Sequence, residues 1–214
     1  MNVLLSGYDK TTQELMFRVY LTEIPEVERS QRARLSHVIA LDLLSAALCR
    51  DFGIRHGKLT RTGLEKPQLL HENLHMNLSH CADMAAAAVG RFPLGVDIET
   101  PRPVREKLLP RMCTPQETAC VIAAEDSAFT FSQLWTLKES YGKYTGEGIR
   151  MQLSSVGFTL GDPPVFHSAH ADEVQFYQKI LENQHVLSLC VPHGDYNVIW
   201  DLDPDRRGLS TADD

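Results

Sequence analysis

The chain has 214 residues, 43% hydrophobic and 23% charged, with 21 Lys and Arg against 28 Asp and Glu for a formal net charge of −7. That balance suits a globular chain with a sizeable core in one large or two small domains. It excludes general nucleic-acid binding, which needs a basic footprint on the phosphates. No apolar run approaches the ~20 residues of a membrane span, and "MNVLLSGYDKTTQELMF" has no basic leader, so neither a membrane anchor nor a signal peptide is expected. Cys49, Cys81, Cys113, Cys120 and Cys190 include no C-x-x-C pair. They read as reduced thiols of a cytoplasmic protein rather than as disulfides or a zinc site.

In chain order, the first clear element is "RARLSHVIALDLLSAALCRDFG", a helix apolar on most sides and stopped at Gly53. Asp42 in its middle is expected to be a buried acid with polar partners. Residues 54 to 83 are rich in Gly, Pro, His and Asn and read as loops and short strands. "MAAAAVG" is helical by propensity alone. Its length and its setting between "NLSHCAD" and "GRFPLGVDIE" predict a strand instead. "TPQE" (114–117) is a capping box that opens a helix, with Thr114 as N-cap and Glu117 three residues on. A second helix is predicted over about 128–145, with Leu134, Leu137, Tyr141 and Tyr144 as its apolar stripe. Then "SSVGFTL", "EVQFYQKI", "VLSLCV" and "YNVIW" read as short strands. Helix followed by strands occurs twice, an α+β pattern, although no direct repeat is visible. The expected organisation is an N-terminal module over 1–93, a C-terminal module over 94–202, and a loose polar tail over 203–214.

Four stretches could carry chemistry. In a strand, Asp97 and Glu99 of "GVDIET" project from one face while Ile98 turns to the other. Two like charges so close call for a cation between them, and a hard ion such as Mg²⁺ takes one or two carboxylates plus substrate phosphates. Alone, the pattern is more often a solvent-facing strand edge. In "WTLKESYGKY", Trp135, Glu139 and Lys143 recur at i, i+4, i+8 and share a helix face. The plain reading is an exposed Glu–Lys pair, and Lys138 adds a second cation. In "MNLSHC", Ser79 and His80 suit donors to a phosphate better than a nucleophilic pair, because no G-x-S-x-G elbow surrounds them. "EKP" (65–67) adds Lys66 beside the rigid Pro67.

Taken in order, "KP", "NLSHC", "GVDIE" and "WTLKESYGKY" resemble the blocks of the 4′-phosphopantetheinyl transferases of the two-module, Sfp-like type, over residues 66 to 143. The resemblance implies transfer of the phosphopantetheine arm of coenzyme A to a serine of an apo acyl or peptidyl carrier protein, with release of 3′,5′-ADP. It implies a pseudo-twofold pair of α+β modules, each a helix on a small antiparallel sheet, with the active site at their junction in a monomer. Asp97, Glu99 and Glu139 would bind Mg²⁺, with Mn²⁺ as a substitute. Glu139 would also take the serine proton, and Lys138 and Lys143 would neutralise the pyrophosphate. Lys66, Pro67, Ser79 and His80 would hold the 3′-phosphate and adenine end, joined by a basic residue of the first helix, Arg34 or its neighbours Arg32 and His37. Glu65, Cys81 and Glu147 depart from the family pattern, where Gly, Ser or Thr, and Lys are usual. The cluster of Arg102, Arg105, Lys107 and Arg111 against Glu106, net +3, would be a docking surface for an acidic carrier. Two other readings remain: a non-catalytic module that binds coenzyme A or a carrier, and a different metal-dependent enzyme that cleaves phosphodiesters.

Overall fold

The computed structural model describes residues 1–55, 57–60, 68–71, 73–148, 151–182 and 184–200, except for the side chains at 29 and 68. Lys66, Pro67, Glu65 and the acidic tail lie outside the described residues. In chain order the elements are β1 (Asn2–Asp9), β2 (Leu15–Glu23), α1 (Arg29–Phe52), β3 (Leu59–Thr60), β4 (Gln68–Leu69), β5 (His75–His80), β6 (Met84–Gly90) and β7 (Gly95–Glu99). They continue with α2 (Leu109–Met112), α3 (Pro115–Ala123), α4 (Ser127–Thr145), β8 (Gly157–Thr159), β9 (Val165–His167), β10 (Val174–Ile180), β11 (Val186–Pro192) and β12 (Tyr196–Trp200). The result is α+β. A five-stranded sheet, ordered β12-β1-β2-β6-β5, carries α1; a three-stranded sheet, ordered β10-β11-β7, carries α4. Every strand pair among the described residues is antiparallel.

The alanine run is the hinge of the packing. All seven residues of β6 are buried. Met84, Ala86 and Ala88 face one core with Phe17, Val96, Ile98 and Leu189, while Ala85, Ala87 and Val89 face the other under α1. Alanine's helical preference is overridden because pairing with β2 and β5 satisfies the backbone on both sides. Only small side chains let a helix and a second sheet approach the strand from opposite faces.

α1 is more one-sided than its sequence suggests. Ala40, Leu43, Leu44, Ala47 and Leu48 are buried, but Asp42, Ser45 and Ala46 face solvent. Asp42 is therefore a solvated surface acid and not a buried one, since the sheet covers only one stripe of the helix. Gly53 ends the helix in the left-handed region, at φ 68°. The "TPQE" box forms as expected. Thr114 Oγ1 accepts from the Glu117 N–H at 3.2 Å, and Glu117 Oε2 accepts from the Thr114 N–H at 2.7 Å.

Candidate active site

The two sheets meet where the edge strands β5 and β7 lie side by side. Backbone pairing is replaced there by side chains. Asn77 Oδ1 accepts from the Val96 N–H at 2.8 Å, and Ser79 Oγ accepts from the Ile98 N–H at 3.3 Å. Strand alternation puts Asn77 and Ser79 on one face of β5, so together they satisfy every second N–H of β7. Val96 and Ile98 sink into the core shared by both sheets. Gly95, Asp97 and Glu99 then turn to the opposite face, toward α4.

Gly95 sets how close α4 comes. A Cβ at Gly95 would lie 2.0 Å from the Ser140 carbonyl oxygen and 2.5 Å from the Tyr144 nitrogen, so helix backbone rests directly on strand backbone. That approach brings Glu139 and Lys143 over Asp97. Gly95→Ala is expected to cost at least the ~1–3 kcal/mol of an overpacked core and to move α4 off β7. Urea unfolding monitors the first effect, and an unchanged midpoint would mean that α4 can shift without loss.

Asp97 is the centre of the site and is only 4% exposed. Its Oδ1 accepts from Ser79 Oγ and from Lys143 Nζ, both at 2.7 Å. Its Oδ2 is buried and makes no hydrogen bond. Lys143 Nζ also donates to the Val96 carbonyl at 2.9 Å. Beside Asp97, burial and then the Asp97 charge push the Glu99 carboxyl above the usual carboxylate range, against Arg102, whose Nη2 lies 2.9 Å from Glu99 Oε2. Burial likewise raises Glu139, with Asp97 adding to the rise and Lys143 opposing it. The three acids thus act on one another electrostatically, and Asp97 brings to them a buried oxygen that makes no hydrogen bond. An oxygen-only donor set of this kind fits a hard divalent cation.

Beyond Glu99 opens a cavity of about 430 Å³, lined by Arg102, Val104, Leu108, Met112, Phe131 and Trp135 among others. Phe131 and Trp135 form one wall, with ring centroids 5.8 Å apart. Arg102, Arg105, Lys107 and Arg111 are all exposed along its rim segment.

The structure therefore brings Asp97, Glu99, Glu139 and Lys143 together, with His80 at the margin. Burial lowers the His80 imidazole most, and the positive charges of Lys143 and His37 lower it further. Two expectations require correction. Lys138 does not face the site. Its side chain is 1% exposed and points to the opposite flank of α4, where Nζ meets Glu117 Oε2 at 2.7 Å and the carbonyls of Val156 and Leu153 at 2.6 and 2.8 Å. Glu117 also accepts from the Phe158 N–H at 2.8 Å. Lys138 is thus a structural cation whose hydrogen bonds are spent far from any phosphate. Ser79 is not a free phosphate donor either, because its hydroxyl proton goes to Asp97. Arg34 is exposed on α1. Asn77, Arg102 and Gly95 were not singled out as site residues, though the same-face spacing of Asn77 and Ser79 is readable in "MNLSH".

Residues 93–196 match the family model described as the 4′-phosphopantetheinyl transferase superfamily. Over 92 residues the chain is 36% identical to 4′-phosphopantetheinyl transferase psf-1 of Bacillus pumilus, covering 42% of this chain and 40% of that protein. Over 127 residues it is 28% identical to 4′-phosphopantetheinyl transferase Sfp of Bacillus subtilis (strain 168), covering 57% of each. The matched stretches thus span about half the length of these relatives. Among solved structures, the holo-[acyl-carrier-protein] synthase of Thermotoga maritima aligns with a TM-score of 0.40 at 18% identity, over 48% of this chain and 64% of that one.

Proposed function

We propose that the chain, whose residues 93–196 match the 4′-phosphopantetheinyl transferase superfamily model, transfers the phosphopantetheine arm of coenzyme A to a serine of an apo acyl or peptidyl carrier protein. The observation that carries this reading is the buried Oδ2 of Asp97, which makes no hydrogen bond, on an acid whose charge helps raise the carboxyls of Glu99 and Glu139. Those three acids would hold Mg²⁺, or Mn²⁺ in its place, and the ion would supply neutralisation of the pyrophosphate charge. Lys143 stands over the same site and would stabilise charge on the departing phosphate. Glu139 would accept the proton of the carrier serine as its oxygen bonds to the phosphorus that bears the pantetheine arm. The bridging P–O bond then breaks, and 3′,5′-ADP leaves with the electron pair. A carboxyl raised by burial is a better base than an ordinary one.

The cavity beside Glu99 would take the pantetheine arm against Phe131 and Trp135. His80 would meet the 3′-phosphate, with Lys66, Pro67 and Arg34 as further contacts at that end. Five free cysteines suit a reducing compartment such as the cytoplasm, and no helix among the described residues is long and apolar enough to cross a membrane. A monomer would suffice, since the proposed site draws on one chain alone.

The deciding experiment incubates the protein with Mg²⁺, coenzyme A and a panel of apo carriers and weighs the carriers by mass spectrometry. A gain of one phosphopantetheine is expected, together with 3′,5′-ADP. Coenzyme A binding without any mass gain would instead favour a binding module, and release of other phosphodiester products would favour a different hydrolytic enzyme. The exposed basic rim of Arg102, Arg105, Lys107 and Arg111 predicts that carrier KM rises with ionic strength, because rim charges act over about one Debye length, roughly 10 Å at 0.1 M salt. A salt-independent KM would remove the rim from the docking surface.

A further inference from the structure

One cluster of ligand-capable side chains is unused by the proposed reaction. Cys81 follows β5, Asp83 lies in the turn to β6, and His185 leads into β11, and one ligand atom from each lies within 4.8 Å of the others. The set combines a thiol, an imidazole and a carboxylate, drawn from both halves of the chain. Cys81 Sγ is 3.6 Å from Asp83 Oδ1, and His185 Nε2 is 2.7 Å from the same oxygen. Zinc bonds of about 2.3 Å to sulfur and about 2.0–2.2 Å to nitrogen or oxygen place tetrahedral ligands about 3.3–3.6 Å apart. The sulfur and oxygen already stand at that separation, and the histidine would have to retreat by less than ~1 Å.

Burial and access are also suitable. His185 is 2% exposed, and its Nδ1 makes no hydrogen bond, so Asp83 is the one side chain that holds the ring by a hydrogen bond. Cys81 is buried, whereas the Asp83 side chain is 56% exposed and leaves a path from solvent. Thr100 Oγ1 lies 3.5 Å from Asp83 Oδ1 and adds a neutral oxygen at the rim.

We propose that Cys81, Asp83 and His185 form a second metal site, for a borderline-soft divalent cation of the zinc class. Thiolate and imidazole ligands select such an ion, while the oxygen-only site at Asp97 selects a hard one. Coordination replaces the Cys81 thiol proton, which leaves to solvent, and uses the lone pair of a neutral His185 nitrogen, with water as the fourth ligand. The ion ties the β5–β6 turn to the start of β11 just beyond Thr100, the residue after Glu99. It therefore clamps the outer end of β7. The assignment is independent of the proposed transferase reaction.

The probe is Co²⁺, titrated into the metal-stripped full chain in saturating Mg²⁺. Cys49 and Cys120, the exposed thiols, are replaced by serine to remove competing ligands. One equivalent should produce a thiolate-to-cobalt charge-transfer band in the near ultraviolet, and Zn²⁺ should displace it. Cys81→Ser, close in shape to the native residue, should abolish the band, and His185→Gln should weaken Co²⁺ binding at least tenfold. Asp97→Asn should leave the band unchanged. No band at millimolar Co²⁺, or a band that survives Cys81→Ser, overturns the site and leaves His185 and Asp83 as a hydrogen-bonded pair joining two turns.

Discussion

Asp97→Asn should lower turnover by a factor on the order of 10²–10³, the loss typical when one preorganised electrostatic contact to a transition state is removed, while the chain stays folded. The asparagine keeps the volume of the side chain, and its amide oxygen still accepts from Ser79 and Lys143. It removes the charge at Oδ2, the buried oxygen that no protein group satisfies. Two losses should accompany each other: kcat falls, and Mn²⁺ affinity, read by paramagnetic resonance, drops. A third quantity, the coenzyme A dissociation constant without metal, should change little. If turnover stayed within a few-fold of the wild type, Asp97 would not be a metal ligand and Oδ2 would need another explanation.

Lys138→Met should act in the opposite way, costing stability far more than chemistry. The Lys138–Glu117 pair is almost wholly enclosed, with side chains 1% and 2% exposed. Glu117 meanwhile caps α3 and holds the Phe158 N–H. Breaking such a pair from one side strands the other charge and typically costs about 3–5 kcal/mol. Chemical denaturation should show that loss in the midpoint at an unchanged slope. Adding Glu117→Gln, which keeps the cap and removes the stranded charge, should recover part of it. Metal affinity and the coenzyme A KM of the folded fraction should remain near normal. A large change in KM without loss of stability would return Lys138 to the active site.

The two variants mark where the sequence was readable. Alternation along "GVDIE" places Asp97 and Glu99 together, and the i, i+4 spacing places Glu139 and Lys143 on one helix face; both survive folding because each is a local regularity. Lys138 shows the limit of that reasoning. It lies four residues after Leu134 and three before Tyr141, which puts it on the core-facing stripe, so its burial was latent in the spacing. Its partner Glu117 is on another helix, and no local pattern shows that the two meet. Ser79 and His80 carry a similar lesson, since neighbours on a strand face opposite ways: Ser79 is buried against Asp97, while His80 is exposed. The hairpin of β1 and β2 was not anticipated, because its residues are buried by long-range neighbours in β6 and β12. The approach that Gly95 permits is likewise a property of two elements and is invisible in either alone.

The last described strand returns to the first. β12 follows the whole second half in sequence, yet it pairs along β1 from Leu5 opposite Trp200 to Asp9 opposite Tyr196. Neither half can therefore complete its own architecture. A fragment ending near residue 93 would leave β1 with an open hydrogen-bonding edge, the kind of edge that recruits foreign strands. Splitting the chain between the modules should consequently yield aggregation-prone pieces instead of two autonomous ones, and loss of either module should bring the other down in a single cooperative step. Through Val198 and Trp200, β12 also packs against the core that holds Val96 and Ile98, the residues of β7 that flank Asp97.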